Sequence, residues 1–83
     1  MAEQHILTLT ILSPQKQLFS GEVKSVTLPG SCNPFTVLYN HAPLVSTLEK
    51  GVIKWVAESV GQVYISGGFV EIKENKVVAC VEI

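Results

Sequence analysis

Apolar and polar residues alternate along most of the chain at the two-residue period of a half-buried strand. Residues 5–12, HILTLTIL, set Leu7, Leu9 and Ile11 on one face and Thr8 and Thr10 on the other. Ser13-Pro14 ends that run, because proline has no donor for a ladder. Residues 16–20 make a short second strand closed by Gly21. Residues 22–29 carry Val23, then Val26 and Leu28, and the phase slips by one between Val23 and Val26. Such a slip predicts a bulge, or a stretch covered on both faces.

The densest group of breakers, Pro29-Gly30-Ser31-Cys32-Asn33-Pro34, reads as a loop, and Asn40-His41-Ala42-Pro43 as another. Between them residues 35–38 form a brief strand. Residues 44–48 are short and apolar, and 44–50 is the one piece whose type is ambiguous. Strands then follow at 52–57, 62–66, 69–73 and 76–83, punctuated by Glu49-Lys50-Gly51, Ser59 to Gly61, Gly67-Gly68 and Glu74-Asn75. Short strands every eight to ten residues, with no sustained 3.6-residue stripe, predict an all-β fold: an antiparallel β-sandwich of about nine to ten short strands.

Composition bounds this picture. Eighty-three residues make one domain, and 47% of them are apolar, so the chain folds rather than staying disordered. A chain this short buries only ~60% of its unfolded surface, which leaves a thin stability margin or a fold that leans on a partner. All six cations are lysine and all seven acids are glutamate, with a net charge of -1. Without arginine, the fork that grips phosphate and guanine edges is missing, so nucleic acid is not an expected partner. The first dozen residues carry Glu3 and no basic segment, unlike a signal peptide, and no window reaches the ~20 apolar residues of a membrane span. A soluble chain with reduced Cys32 and Cys80 is expected.

Catalytic chemistry finds little purchase. A serine–histidine–aspartate triad has no aspartate, and no Gly-x-Ser-x-Gly elbow is present. Cys32 and His41 fall in neighbouring loops, where an approach would make a nucleophile pair, but the bland reading outweighs it. Two histidines and two cysteines at irregular spacing match no zinc pattern, so no metal or cofactor is expected. Gly67-Gly68 lacks the lysine and following helix of a phosphate loop, and reads as a turn or bulge needing positive φ. A surface for a partner is what remains. Phe69 reads as core, while Phe35 and Tyr39 flank the two loops and divide evenly between core and contact.

The run LFSGEVKSVTLPGS at residues 18–31 resembles the early segment of the ATP synthase epsilon family. His41-Ala42-Pro43-Leu44-Val45 is similar to that family's GHAPLL loop, and Gly51-Val52-Ile53 to its next strand start. Ser66-Gly67-Gly68-Phe69-Val70-Glu71 is similar to its SGGFLEV turn, and Asn75-Lys76-Val77 to its NNKVTV strand. Each run is weak alone; together they keep order and spacing from about residue 6 to the last. Two departures stand out: Asn33-Pro34-Phe35-Thr36 replaces a glycine-rich GEFG step, and Tyr39-Asn40 replaces Pro-Gly. Asn40 is able to hold the left-handed conformation that the glycine would take.

The resemblance implies a non-catalytic rotor domain at 1–83 that docks on the gamma subunit and rests on the c ring. There it would pass ion-driven rotation to the catalytic head, as a peripheral subunit on the cytoplasmic face of a bacterial inner membrane. By family position, Ser31, Cys32, Asn33, Pro34 and Phe35 would face the c ring. Tyr39, His41, Ala42, Pro43, Leu44 and Val45 would meet gamma, with Leu44 or Val45 as exposed apolar contact. No small-molecule substrate is implied. Family members commonly continue into two C-terminal helices that inhibit ATP hydrolysis; a chain ending at Ile83 is expected to be a short form without that role. The alternative is a stand-alone sandwich that binds a peptide or glycan.

Overall fold

A computed structural model describes residues 5–83, which form nine strands and no helix. They are β1 (Leu7–Leu12), β2 (Gln17–Val23), β3 (Ser25–Pro29), β4 (Pro34–Val37), β5 (Leu44–Leu48), β6 (Gly51–Val56), β7 (Val60–Ile65), β8 (Gly67–Lys73) and β9 (Lys76–Glu82). The ambiguous apolar piece is therefore a strand, β5, and Glu74-Asn75 is the expected turn.

Two sheets face each other. One has the order β2-β1-β9-β8-β5 and the other β4-β3-β6-β7. Every pairing is antiparallel except β1 with β9, which runs parallel with Leu9 opposite Val77. Strand β9 follows β8 by a tight turn and so runs opposite to it, and it lies alongside β1 in the same direction. The alternation read from the sequence becomes the core: Leu7, Leu9 and Ile11 from β1, Val70 and Ile72 from β8, and Val77, Ala79 and Val81 from β9 are all buried. The second sheet answers with Val26, Leu28, Val37, Ile53 and Ile65. Each buried valine, leucine or isoleucine side chain contributes about 1.5–3 kcal/mol by leaving water.

The phase slip after Val23 is no bulge. Val23 closes β2 in the five-stranded sheet, Lys24 carries the chain across, and Val26 opens the inward face of β3 in the other sheet. Both valines are buried because each sheet turns its own inner face to the same core. One residue of slip thus marks a change of sheet. The Lys24 N–H donates to the Val56 carbonyl at 2.6 Å and pins the crossing to β6.

Gly67-Gly68 starts β8 rather than breaking it, but the expected positive φ is present: Gly68 has φ 152°. A Cβ there would meet the Cys80 carbonyl oxygen and lie 2.8 Å from the Val81 Cα, so backbone and neighbouring strand both demand glycine.

Candidate functional site

The strand directions sort every connection to one of two ends. Strand β1 begins at the proximal end, which also holds the β2–β3 crossing, the β4–β5 loop, the β6–β7 loop and the β8–β9 turn. The distal end holds the β1–β2, β3–β4, β5–β6 and β7–β8 connections. The two loops singled out in the sequence therefore lie at opposite ends of the sandwich.

At the distal end, Ser31, Cys32, Asn33 and Pro34 are exposed on the β3–β4 loop. The loop is fixed by backbone and packing. Gly30 forms an isolated bridge with Leu48, and the Glu49 N–H donates to the Pro29 carbonyl at 2.8 Å, joining the two sheets. Phe35 is half-buried and packs on the core cluster. Its ring lies over Gly30, where a Cβ would come within 2.9 Å of the ring and 2.8 Å of the Asn33 carbonyl oxygen. Phe35 thus anchors its loop, and a charge there would disturb the domain as well as any contact. The β1–β2 turn lies at the same end: the Ser13 N–H donates to the Lys16 carbonyl, and the Lys16 N–H donates to Ser13 Oγ.

At the proximal end, side chains add to a backbone turn bond. The His41 N–H donates to the Leu38 carbonyl at 3.1 Å, and Asn40 alone of the two central residues has positive φ, 65°. This is a type II turn, and Asn40 takes the left-handed conformation that the sequence reading allowed it. Tyr39 stacks on His5 with ring centroids 4.7 Å apart and planes 5° from parallel. Asn40 meets Asn75 of the β8–β9 turn: its N–H donates to Asn75 Oδ1 at 2.6 Å, and Asn75 Nδ2 donates to Asn40 Oδ1 at 3.3 Å. His41 Nδ1 lies 2.7 Å from the Ala42 carbonyl, and an acceptor-only oxygen at that distance sets the ring proton on Nδ1.

Ala42 and Pro43 are exposed beyond the turn, and then the register decides the rest. Leu44 pairs with buried Ile72, turns inward and packs on the core, so it offers little apolar surface. Val45 pairs with Glu71, points outward and is 70% exposed. Of the two residues named for an exposed contact, Val45 is the one available.

Cys32 and His41 do not converge, since β4 separates their loops and sets them at opposite ends. Both cysteines are free. Among the described residues no three histidine, cysteine or acidic side chains gather as a metal site would need. Among the described residues no helix is long and apolar enough to cross a membrane.

Sequence reasoning missed two features. Phe69, read as core, is 51% exposed on the outer face of the five-stranded sheet. It is opposite Cys80, and with Leu12 and Pro14 it lines a shallow cleft of about 370 Å³. Its position between buried Val70 and inward Gly68 would have revealed this, had the glycine been counted as an inward position. The Asn40–Asn75 clamp joins residues 35 apart, and only its two left-handed asparagines are visible in the sequence.

Residues 6–83 match the family model described as the β-sandwich domain of the ATP synthase delta/epsilon chain. The ATP synthase epsilon chain of Leptospira borgpetersenii is 45% identical over 74 residues, 88% of this chain and 58% of that protein. Its counterpart in Chlorobaculum tepidum is 42% identical over 77 residues, 90% of this chain and 88% of that protein. The chain thus spans little more than half of several relatives, and most of another. The same fold occurs in the mitochondrial ATP synthase of Euglena gracilis, solved as an OSCP/F1/c-ring assembly, with a TM-score of 0.87 and 21% identity over 98% of this chain and 53% of that one. It recurs in the central stalk/c-ring structure from Tetrahymena thermophila, with a TM-score of 0.81 and 16% identity over 100% of this chain and 67% of that one. The chain belongs to the ATP synthase delta/epsilon family, and residues 6–83 are its β-sandwich domain.

Proposed function

We propose that the chain is a non-catalytic rotor domain of an F-type ATP synthase that links the gamma subunit to the c ring. The proximal end, with Tyr39, His41, Ala42, Pro43 and outward Val45, meets gamma. The distal loop of Ser31, Cys32, Asn33, Pro34 and Phe35 rests on the polar loops of the c ring. Rotation driven by the ion gradient then passes through the sandwich to the catalytic head. The chain works as a peripheral subunit on the cytoplasmic face of a bacterial inner membrane, without a cofactor or small-molecule substrate.

The observation that carries this reading is the placement of the two loops at opposite ends of one β-sandwich. Two partners can be held at once only if their surfaces do not overlap, and torque passes only through a body that does not deform between them. Nine strands around an apolar core meet the second requirement, because close-packed interiors have low compressibility. Among the described residues the core contains no buried polar or charged residue that would loosen it.

The test is a pull-down of the tagged chain from gently solubilised native membranes, with partners identified by mass spectrometry. Recovery of gamma, the catalytic head and the c ring is expected. A clean monomer, under conditions where the synthase stays intact, would overturn the assignment. The double variant His41→Ala/Val45→Glu should lose gamma while its melting temperature stays near that of the unaltered chain.

A further inference from the structure

The β4–β5 loop has a weak point that its own turn does not cover. The turn's internal bond uses the Leu38 carbonyl and the His41 N–H, so the Asn40 N–H lies outside it. Asparagine tolerates the left-handed conformation that this turn requires, and contacts from outside the turn fix it further. Two contacts do so: the Tyr39 ring against His5 and the Asn40 N–H on Asn75 Oδ1.

Asn75 is well placed for this. Glu74 and Asn75, at φ 52° and 62°, form the two-residue turn between paired Lys73 and Lys76. Two left-handed residues in a two-residue hairpin are the type I′ geometry, which matches strand twist and fixes the turn firmly. The Asn75 carbonyl also accepts from the Thr8 N–H at 3.0 Å, tying the turn to β1. The side-chain amide therefore projects from a rigid support into a loop that is 35 residues distant in the chain.

We propose that Asn75 is a positioning residue, whose side-chain amide holds the β4–β5 loop in the shape that meets the gamma subunit; the docking half rests on the function proposed above. The amide works through Asn40 and need not touch gamma. Because the bond is exposed, water replaces it when it is lost, and folding stability changes little. The loop then samples other shapes, and affinity falls by the fraction of time spent in the competent one.

Asn75→Gly and Asn75→Asp separate these effects. Glycine keeps the left-handed turn and deletes both side-chain bonds. Aspartate keeps an oxygen that accepts from the Asn40 N–H, and the Asn40 amide is able to turn its NH2 toward it. Amide hydrogen exchange at Asn40, followed by NMR on the free chain, should speed up in Asn75→Gly and return toward the original rate in Asn75→Asp. Affinity for purified gamma should fall about tenfold in the glycine variant, as expected if about one-tenth of the loop population stays competent. The aspartate variant should recover most of it. Unchanged exchange at Asn40 in Asn75→Gly would overturn the clamp. Faster exchange with full affinity would overturn its part in docking. Failure of the unaltered chain to bind gamma would overturn the docking half together with the function proposed above, while the exchange rates still decide the clamp.

Discussion

The two ends of the sandwich each carry a loop that flanks β4, yet different forces shape them. At the distal end the fixing contacts are backbone to backbone, Gly30 with Leu48 and Glu49 with Pro29, with the Phe35 ring packed over a glycine. Such a loop is set by shape: its exposed residues, Ser31 to Pro34, can change while its path remains. At the proximal end, the Asn40–Asn75 pair and the His5–Tyr39 stack do the fixing, and both depend on particular side chains. That loop is set by chemistry, and single substitutions can retune it without touching the core. The domain thus presents one end whose surface tolerates sequence change and one whose surface does not.

The contrast predicts a graded set of outcomes. The largest effect belongs to the distal support: Gly68→Ala places a methyl group against the Cys80 carbonyl and the Val81 Cα at a backbone angle that alanine rarely adopts. Strain and overpacking together should cost about 3 kcal/mol. That corresponds to a fall in melting temperature of about 12 °C or more by calorimetry, and a shift of a few degrees would contradict the close approach.

Phe35→Ala comes next. The ring is only half-buried, so the loss should fall near the lower limit for truncating a large core side chain, about 2–3 kcal/mol by urea unfolding. A neutral result would mean that Phe35 serves its contact alone and that shape does not hold the distal loop. Gly30→Ala should cost about 1 kcal/mol, because its new methyl group presses on the Phe35 ring and the Asn33 carbonyl oxygen. In the double variant Phe35→Ala/Gly30→Ala the second loss should be smaller, since the ring has gone, and strict additivity would break the link between the two.

The proximal end should behave in the opposite way. His41→Ala/Val45→Glu should stay within about 0.5 kcal/mol of the unaltered chain in urea, since Val45 is largely exposed and His41 bonds only to its neighbours. Its effect should appear in gamma binding. Cys32→Ser at the exposed distal loop should be the smallest of all, with stability unchanged within the same limit.

The strands and the inward residues were legible in the sequence because alternation at period two is a direct image of a two-faced sheet. Leu7, Leu9, Ile11, Val70 and Ile72 needed nothing more. The left-handed conformation of Asn40 was legible for a local reason, since few residue types tolerate it. The sheet change at Lys24 was visible only as a slip of phase, because alternation records which face is wet and not which sheet a strand joins. Phe69 and the Asn40–Asn75 clamp were harder. The first is a large ring that alternation sets outward but whose size suggests core; the second depends on two turns brought together by the fold across 35 residues. Neither distance nor partner choice is written in local periodicity.

The parallel pairing of β1 with β9 has a consequence for the order of events during synthesis. Strand β9 lies between β1 and β8 in the middle of its sheet. Without it, that sheet divides into two separate ribbons, β2 with β1 and β8 with β5, each with an open flank. Two-stranded ribbons are marginal in water, so the early strands must wait unsealed until the late one arrives. Pairing between strands so far apart in the chain also makes folding slow and leaves apolar edges open meanwhile. Val77, Ala79 and Val81 therefore act as the bolt of the structure, joining the two ribbons over one buried face.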